Sequence, residues 1–184
     1  MHREIRNVME DPPPPPPATE TPAEAAAVAE LFSEHRLGLV RFAFLLLGDQ
    51  ETAEDVVQDA FAAVHRRWSR LADRDRLLPY VRTAVLNGCR AVHRRRAVAR
   101  RFGVEREAPF WSAETQALLG ETRREVFAAV RGLSRRRREA VVLRYYLGLS
   151  EAETAEVMGV SRGTVKSTVS RALDALAGKL KEGR

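Results

Sequence analysis

The chain holds a single cysteine, Cys89, so neither an internal disulfide nor a cysteine-built metal site can form from it. Set among Ala84, Val85 and Leu86, that cysteine reads as a small helical packing residue. Histidine is scarce as well: His2, His35, His65 and His93 are dispersed, with no metal-ligand spacing. There is no Gly-rich phosphate loop and no nucleophile elbow. Enzymatic function, a metal and a cofactor are therefore not expected. Aromatics make up only 7%, and β-branched residues rarely alternate with polar ones, which argues against sheets and for helices. Long apolar runs are missing: the longest, Phe42 to Leu47, falls well short of the roughly 18 residues a membrane helix needs. Met1 to Asp11 is polar and carries no signal-peptide pattern. The expectation is a cytoplasmic protein with no direct membrane insertion. Lysine is nearly absent too, with Lys166, Lys179 and Lys181 alone among many arginines. A GC-rich genome favours arginine codons, so this bias carries no functional signal.

What is present bounds the answer further. Of 184 residues, 45% are apolar, enough for a buried core. The formal net charge is +6, which favours an anionic partner. The charge is unevenly placed: the first 30 residues are mainly acidic, and basic residues cluster after Arg66.

Residues 1–23 are expected to be a disordered, solvated leader marked by the six-proline run Pro12 to Pro17, which favours polyproline II and cannot join a helix; the alternative is a ligand for a proline-binding domain. A first helical block follows, over 24–101. Leu31, Phe32, His35, Leu39, Phe42, Ala43 and Leu46 recur at three- and four-residue steps, one face of a helix. Gly48 stops it, and Asp49 can cap the next helix, with Glu51 in its first turn. That second helix turns Val56, Val57, Ala60, Phe61, Val64 and Trp68 inward, and Asp55, Gln58, Asp59 and Ala62 the other way. Ala72 to Arg76 reads as a charged loop. Pro79 suits the first turn of a third helix, which continues through Val81, Val85 and Val92 into the basic run His93 to Arg96. A linker over 102–118 contains Gly103 and Pro109, with Phe110 and Trp111 expected to dock back on a domain. The second block covers 119–184. Val126, Phe127, Val130 and Leu133 give one amphipathic helix. Ser134 starts another, carrying Val141, Val142, Leu143, Tyr145 and Leu147, and Gly148 ends it.

The strongest local pattern runs from Ser150 to Leu173. Ser150 with Glu153 three residues later makes a capping box. Thr154, Ala155, Val157 and Met158 supply a first helix, with Ala155 small enough for a close helix crossing. Gly159 provides a tight turn, where positive φ is cheap. Val160 packs under the turn and Ser161 caps a second helix. Val165, Val169, Leu173, Leu176 and Leu180 form an apolar stripe on it. Its other face presents Arg162, Thr164, Lys166, Ser167, Ser170 and Arg171, short hydroxyls and long cations suited to a major groove. The helix N-terminus can also donate to a phosphate. This is a DNA-binding helix-turn-helix; the ordinary alternative is a helical hairpin with a solvated polar face.

Several runs resemble the sigma-70 family. Leu133-Ser134, Leu143-Arg-Tyr-Tyr-Leu-Gly-Leu-Ser150, Gly163-Thr-Val-Lys-Ser167 and Ser170-Arg-Ala172 are similar to region four. Ala53-Glu-Asp-Val-Val-Gln-Asp-Ala-Phe61 resembles region two. The pair, with nothing long between, resembles the extracytoplasmic-function sigma factors, in particular their SigE-like actinobacterial branch, over about residues 27–181. The resemblance implies an all-α fold of two small helical domains, a region two bundle and a region four helix-turn-helix, joined by a short linker. It implies three kinds of partner: core RNA polymerase, through the β′ clamp helices and the β flap; promoter DNA; and an anti-sigma factor. It places Asp55, Gln58 and Asp59 against the basic β′ clamp helices. It assigns minus-ten recognition and melting to the loop containing Leu71 and Asp75, and to Tyr80, Asn87, Arg90, Arg94 and Arg95, with Arg82 as a further phosphate contact. Minus-thirty-five recognition falls to Lys166, Ser167, Ser170 and Arg171 at the bases, and Arg162 and Thr164 at the backbone. Arg135 to Arg138 fit either a contact patch or a solvated one. Departures from the family pattern are Tyr80 where many relatives have Trp, Ala91 where many have an acidic residue, and a loop 72–76 without glycine. The rival reading is a stand-alone regulator whose first block dimerises or senses.

Overall fold

The computed structural model describes residues 22–67, 77–103 and 121–182. All regular structure among them is helical: α1 (Pro22–Leu47), α2 (Gln50–Arg67), α3 (Leu77–Arg101), α4 (Glu121–Arg131), α5 (Arg135–Val141), a π-helical turn (Val142–Tyr146), α6 (Glu151–Met158) and α7 (Arg162–Glu182). The proline leader, Trp68, the loop with Leu71 and Asp75, and the linker aromatics Phe110 and Trp111 lie outside the described residues.

The first three helices pack on one another because each carries an apolar stripe at helical spacing. Leu39, Phe42, Ala43 and Leu46 from α1 are buried, as are Val56, Val57, Ala60, Phe61 and Val64 from α2 and Val81, Val85, Leu86, Cys89 and Val92 from α3. Phe32 meets Phe61 edge-on, with ring centroids 4.9 Å apart. Gly88 lets α3 lie close on α2: a Cβ there would sit 2.7 Å from a Val56 methyl carbon. Burial pushes the Cys89 thiol up to about 12, so it packs as an apolar group.

In the second block α7 runs against α4, α5 and α6. Three details differ from the sequence pattern. The helix begun after Ser134 does not stay α-helical to Leu147: it widens into the π turn at Val142, and Leu147 N–H donates to the Val142 carbonyl. Val126 and Tyr145 point outward instead of joining their apolar neighbours, and Leu173 is 41% exposed. Phe127, Leu133, Val142 and Leu143 are buried as their spacing predicts, and Ala129 and Ala172 join them. The wider turn rotates the chain at Tyr145, so a periodicity of 3.6 residues misassigns that side chain.

The two blocks share one hydrophobic cluster, in which Leu46, Val85 and Leu86 join Leu143, Leu149, Val157 and Met158. Phe44 of α1 stacks on Phe127 of α4 at 5.5 Å between centroids. The end of α1 is a second joint. Its last carbonyls have no partner within the helix, and cations from elsewhere cover them: Arg96 of α3 donates to the Leu47 carbonyl and the Asp49 carboxylate, and Arg138 of α5 donates to the Leu46 carbonyl at 2.9 Å. The Arg131 guanidinium lies across Gly48, whose φ of +74° turns the chain with no Cβ in the way. Positive groups gather where the helix dipole is negative. His93 joins them through a hydrogen bond to Leu46. Burial first, then Arg138, Arg96 and Arg135, hold its pKa below the ordinary value, against the pull of that bond.

The sign of the pH effect follows. The unfolded chain takes up a proton at His93 near pH 6.5, before the folded chain does. Stability from this group is therefore complete above about pH 6.5 and is lost as pH falls toward the lower folded value. The melting temperature of the wild type should drop between pH 7.5 and 5.5. His93→Gln, which keeps a neutral donor, should lose less over the same range; equal slopes would remove His93 as the source.

Candidate nucleic-acid interface

Helix α6 begins with the reciprocal pair the sequence announces. Glu153 N–H donates to the Ser150 hydroxyl at 3.2 Å, and Ser150 N–H donates to the Glu153 carboxylate at 2.8 Å. Those bonds hold the Glu153 carboxyl below its usual range. The helix ends on Gly159 at φ 68° and ψ 44°, left-handed values that suit glycine. Gly159 N–H bonds the Glu156 carbonyl and Val160 N–H the Ala155 carbonyl, a Schellman closure. Thr164 N–H then donates to the Ser161 hydroxyl, capping α7. Thr154, Ala155, Val157 and Met158 are buried beside Val165, so the crossing of α6 and α7 is fixed by packing as well as by the turn.

Helix α7 consequently presents a defined polar side. Arg162, Lys166 and Ser170 are exposed at four-residue steps, and Arg171 is exposed beside them. Ser167 and Thr164 are half-buried. Ser167 donates to the Thr164 carbonyl, and the Thr164 hydroxyl pairs with Ser161, so Thr164 serves the cap. The arrangement offers three cations, Arg162, Lys166 and Arg171, and the hydroxyls of Ser167 and Ser170 along the first half of the helix, chemistry that fits a groove of stacked bases between phosphates.

On α3, Tyr80, Asn87 and Arg94 are seven residues apart and share a face, with Arg95 to one side. Asn87, Arg94 and Arg95 are exposed; Tyr80 is half-buried against the core. Arg90, expected to face DNA, is turned instead onto the second block. Its Nη2 lies 2.7 Å from the Glu139 carboxylate and donates to the Met158 carbonyl at 3.3 Å, while Nε donates to both Glu139 oxygens. Arg82 is partly desolvated and faces Glu153 of α6. Asp55, Gln58 and Asp59 are exposed together on the outer side of α2.

Glu139 escaped sequence reading. It follows four arginines and looks like the fifth residue of a solvated run, yet it is 3% exposed. The available signal was its place directly before the apolar Ala140 and Val141.

Two family models match this chain: Sigma-70 region 2 over residues 31–100 and Sigma-70 region 4 over residues 123–176. An RNA polymerase sigma-E factor of Streptomyces antibioticus is 32% identical over 73% of this chain and 74% of its own length. The ECF RNA polymerase sigma factor SigL of Mycobacterium tuberculosis is 30% identical over 87% and 92%. The chain belongs to the extracytoplasmic-function sigma factors of the sigma-70 family. Among solved structures, the sigma factor RpoE in complex with the anti-sigma factor NepR from Bartonella quintana matches with a TM-score of 0.67 at 28% identity, covering 84% of this chain and 99% of that one. CnrH in complex with the cytosolic domain of CnrY matches with a TM-score of 0.66 at 25% identity, over 88% and 96%.

In this sigma factor the helix-turn-helix lies in the later part of the second matched region, and α3 ends the first. One flaw in its packing is testable. The Thr154 hydroxyl is fully buried without a hydrogen-bond partner among the described residues, a cost of about 1–3 kcal/mol. Thr154→Val keeps the shape and removes the hydroxyl. It should stabilise the protein by about 1 kcal/mol, raising the midpoint in a thermal melt by about 2–4 °C. A lower midpoint would mean that the hydroxyl is bonded in solution.

Proposed function

We propose that this sigma factor acts without catalysis of its own, in the cytoplasm. It binds core RNA polymerase and directs it to promoters by reading the minus-ten element with α3 and the loop before it, and the minus-thirty-five element with α7. The observation that carries the reading is the helix-turn-helix: a capped α6, a glycine turn and an α7 whose exposed side holds Arg162, Lys166, Ser170 and Arg171. No described helix is long and apolar enough to cross a membrane. Each group then has a task. Lys166, Ser167, Ser170 and Arg171 meet base edges, and Arg162 with Thr164 meets the backbone. Tyr80 and Asn87 address an unstacked minus-ten strand together with Leu71 and Asp75 of the loop, while Arg90, Arg94 and Arg95 track its phosphates. Asp55, Gln58 and Asp59 dock on the basic β′ clamp helices, and region four on the β flap. An anti-sigma factor is a further partner, supported by the likeness to RpoE held by NepR.

The deciding experiment is reconstitution with core polymerase and run-off transcription from genomic promoters. Specific initiation is expected, and duplex binding by the free chain should be weak. Tight promoter binding alone, with no core binding and no transcript, would favour a stand-alone regulator.

Two substitutions separate the surfaces. Arg171→Ala should weaken binding of a minus-thirty-five duplex by about 1–3 kcal/mol, as loss of one base-reading arginine does, and leave core affinity intact. Equal loss of both would indicate misfolding. Asp55→Arg should weaken core binding, measured by titration of labelled protein with core enzyme, because it sets like charge against the clamp helices. Unchanged affinity would return that face to simple solvation.

A further inference from the structure

Helix α3 continues for two turns past the residues assigned to the minus-ten element, and its end carries an apolar pair. Phe102, directly after the helix, is 79% exposed, the most exposed large apolar side chain among the described residues, and Val98 is 52% exposed. Both extend the side that holds Asn87 and Arg94. Val98 lies eleven residues beyond Asn87, close to three full turns, and four beyond Arg94. Phe102 lies four beyond Val98 and seven beyond Arg95. Its backbone is fixed: Phe102 N–H donates to the Ala99 carbonyl at 3.1 Å, and Gly103 N–H to the Arg100 carbonyl at 3.2 Å.

The arginines of α3 fall into two groups. Arg82, Arg90 and Arg96 face carboxylates of the protein, those of Glu153, Glu139 and Asp49. Arg94, Arg95, Arg100 and Arg101 are exposed and form no ion pair among the described residues. Residues 77–103 contain no acidic residue at all. Cations at this density attract a polyanion. An apolar pair set among them fits a polyanion that also offers apolar surface. Duplex DNA does so in its major groove, which admits a helix and in which thymine alone presents a methyl group.

The order of the chain says which duplex. The loop before α3 and the first part of the helix are assigned to the minus-ten element, and from Phe102 the chain goes on to the block that reads the upstream one. The end of α3 therefore points upstream. Val98 and Phe102 lie about 16 and 22 Å along the helix axis from Asn87 at 1.5 Å per residue, or about five to seven base pairs at 3.4 Å each.

Resting on the sigma-factor reading of the two blocks, we propose that Val98 and Phe102 form a further specificity contact, packing on a thymine methyl in the spacer duplex just upstream of the minus-ten element. Arg94, Arg95 and Arg101 hold the flanking phosphates and set the register, and the apolar pair reads the base. Promoter choice then has a third determinant, outside the two named elements.

The test uses holoenzyme assembled from the full chain and core polymerase, on a promoter obtained from the run-off assay. The roughly ten base pairs upstream of its minus-ten element are randomised, and bound templates are selected. Thymine should be enriched at one or two neighbouring positions with the wild type and not with Phe102→Ala. Uracil in place of that thymine removes only the methyl. It should weaken wild-type holoenzyme binding about fourfold, the worth of one buried methyl group, and leave Phe102→Ala unaffected. Phe102→Leu should retain part of the uracil effect. No enrichment, or the same enrichment with Phe102→Ala, would overturn the contact. Equal binding of thymine and uracil templates by the wild type would overturn it too, since a ring stacked on an unpaired base ignores the methyl. Lower core affinity of Phe102→Ala with an unchanged thymine profile would make Phe102 a polymerase contact instead. Absence of transcript from every promoter would overturn the proposed function and this contact with it; transcription without a thymine preference would overturn the contact alone.

Discussion

A carboxylate almost closed to water sets the terms for the rest of this molecule. Glu139 belongs to a short helix of the second block, and the guanidinium nearest it comes from the long third helix of the first. Separation in dry surroundings would leave an uncompensated charge, so the blocks must stay together or both groups must reach water. The same boundary carries the Phe44–Phe127 stack, the Arg138 bond to the end of α1 and a continuous apolar cluster. Small helical units bury a modest fraction of their surface when alone. Sharing a core stabilises each of them in the absence of any partner.

Legibility in the sequence followed the range of the interaction. The helix-turn-helix was readable because its signals are local: Ser150 and Glu153 satisfy each other three residues apart, Gly159 turns the chain at its own position, and Ser161 caps the helix it precedes. The stripes of α1 and α2 were readable for the same reason, and Asp55, Gln58 and Asp59 fall outward by subtraction. The family resemblance, resting on runs in both blocks, set the order of the regions. None of this reaches across the linker. Arg90 reads as one more basic residue of α3, and Glu139 as the tail of an arginine run. Their pairing depends on how two helices from different blocks meet, and no spacing rule encodes that. The π turn failed to show for a related reason: one added residue per turn rotates Tyr145 out, with no special residue type to announce it.

Arginine at the boundary gives the joint a chemistry suited to release. A wholly apolar interface would expose its entire face on opening, at about 25 cal/mol for each Å² returned to water. An arginine holding a carboxylate has an alternative of equal kind, because its planar fork fits a phosphate as well as it fits Glu139. Glu139, freed at the same moment, regains hydration. On separation, phosphate or water can replace the electrostatic part of the joint, leaving the apolar cluster as the main resistance. A polyanion competes for Arg90 without offering anything to the buried faces of Leu143, Val157 and Met158. The interface between the blocks thus divides into a part that a polyanion can replace and a part that it cannot.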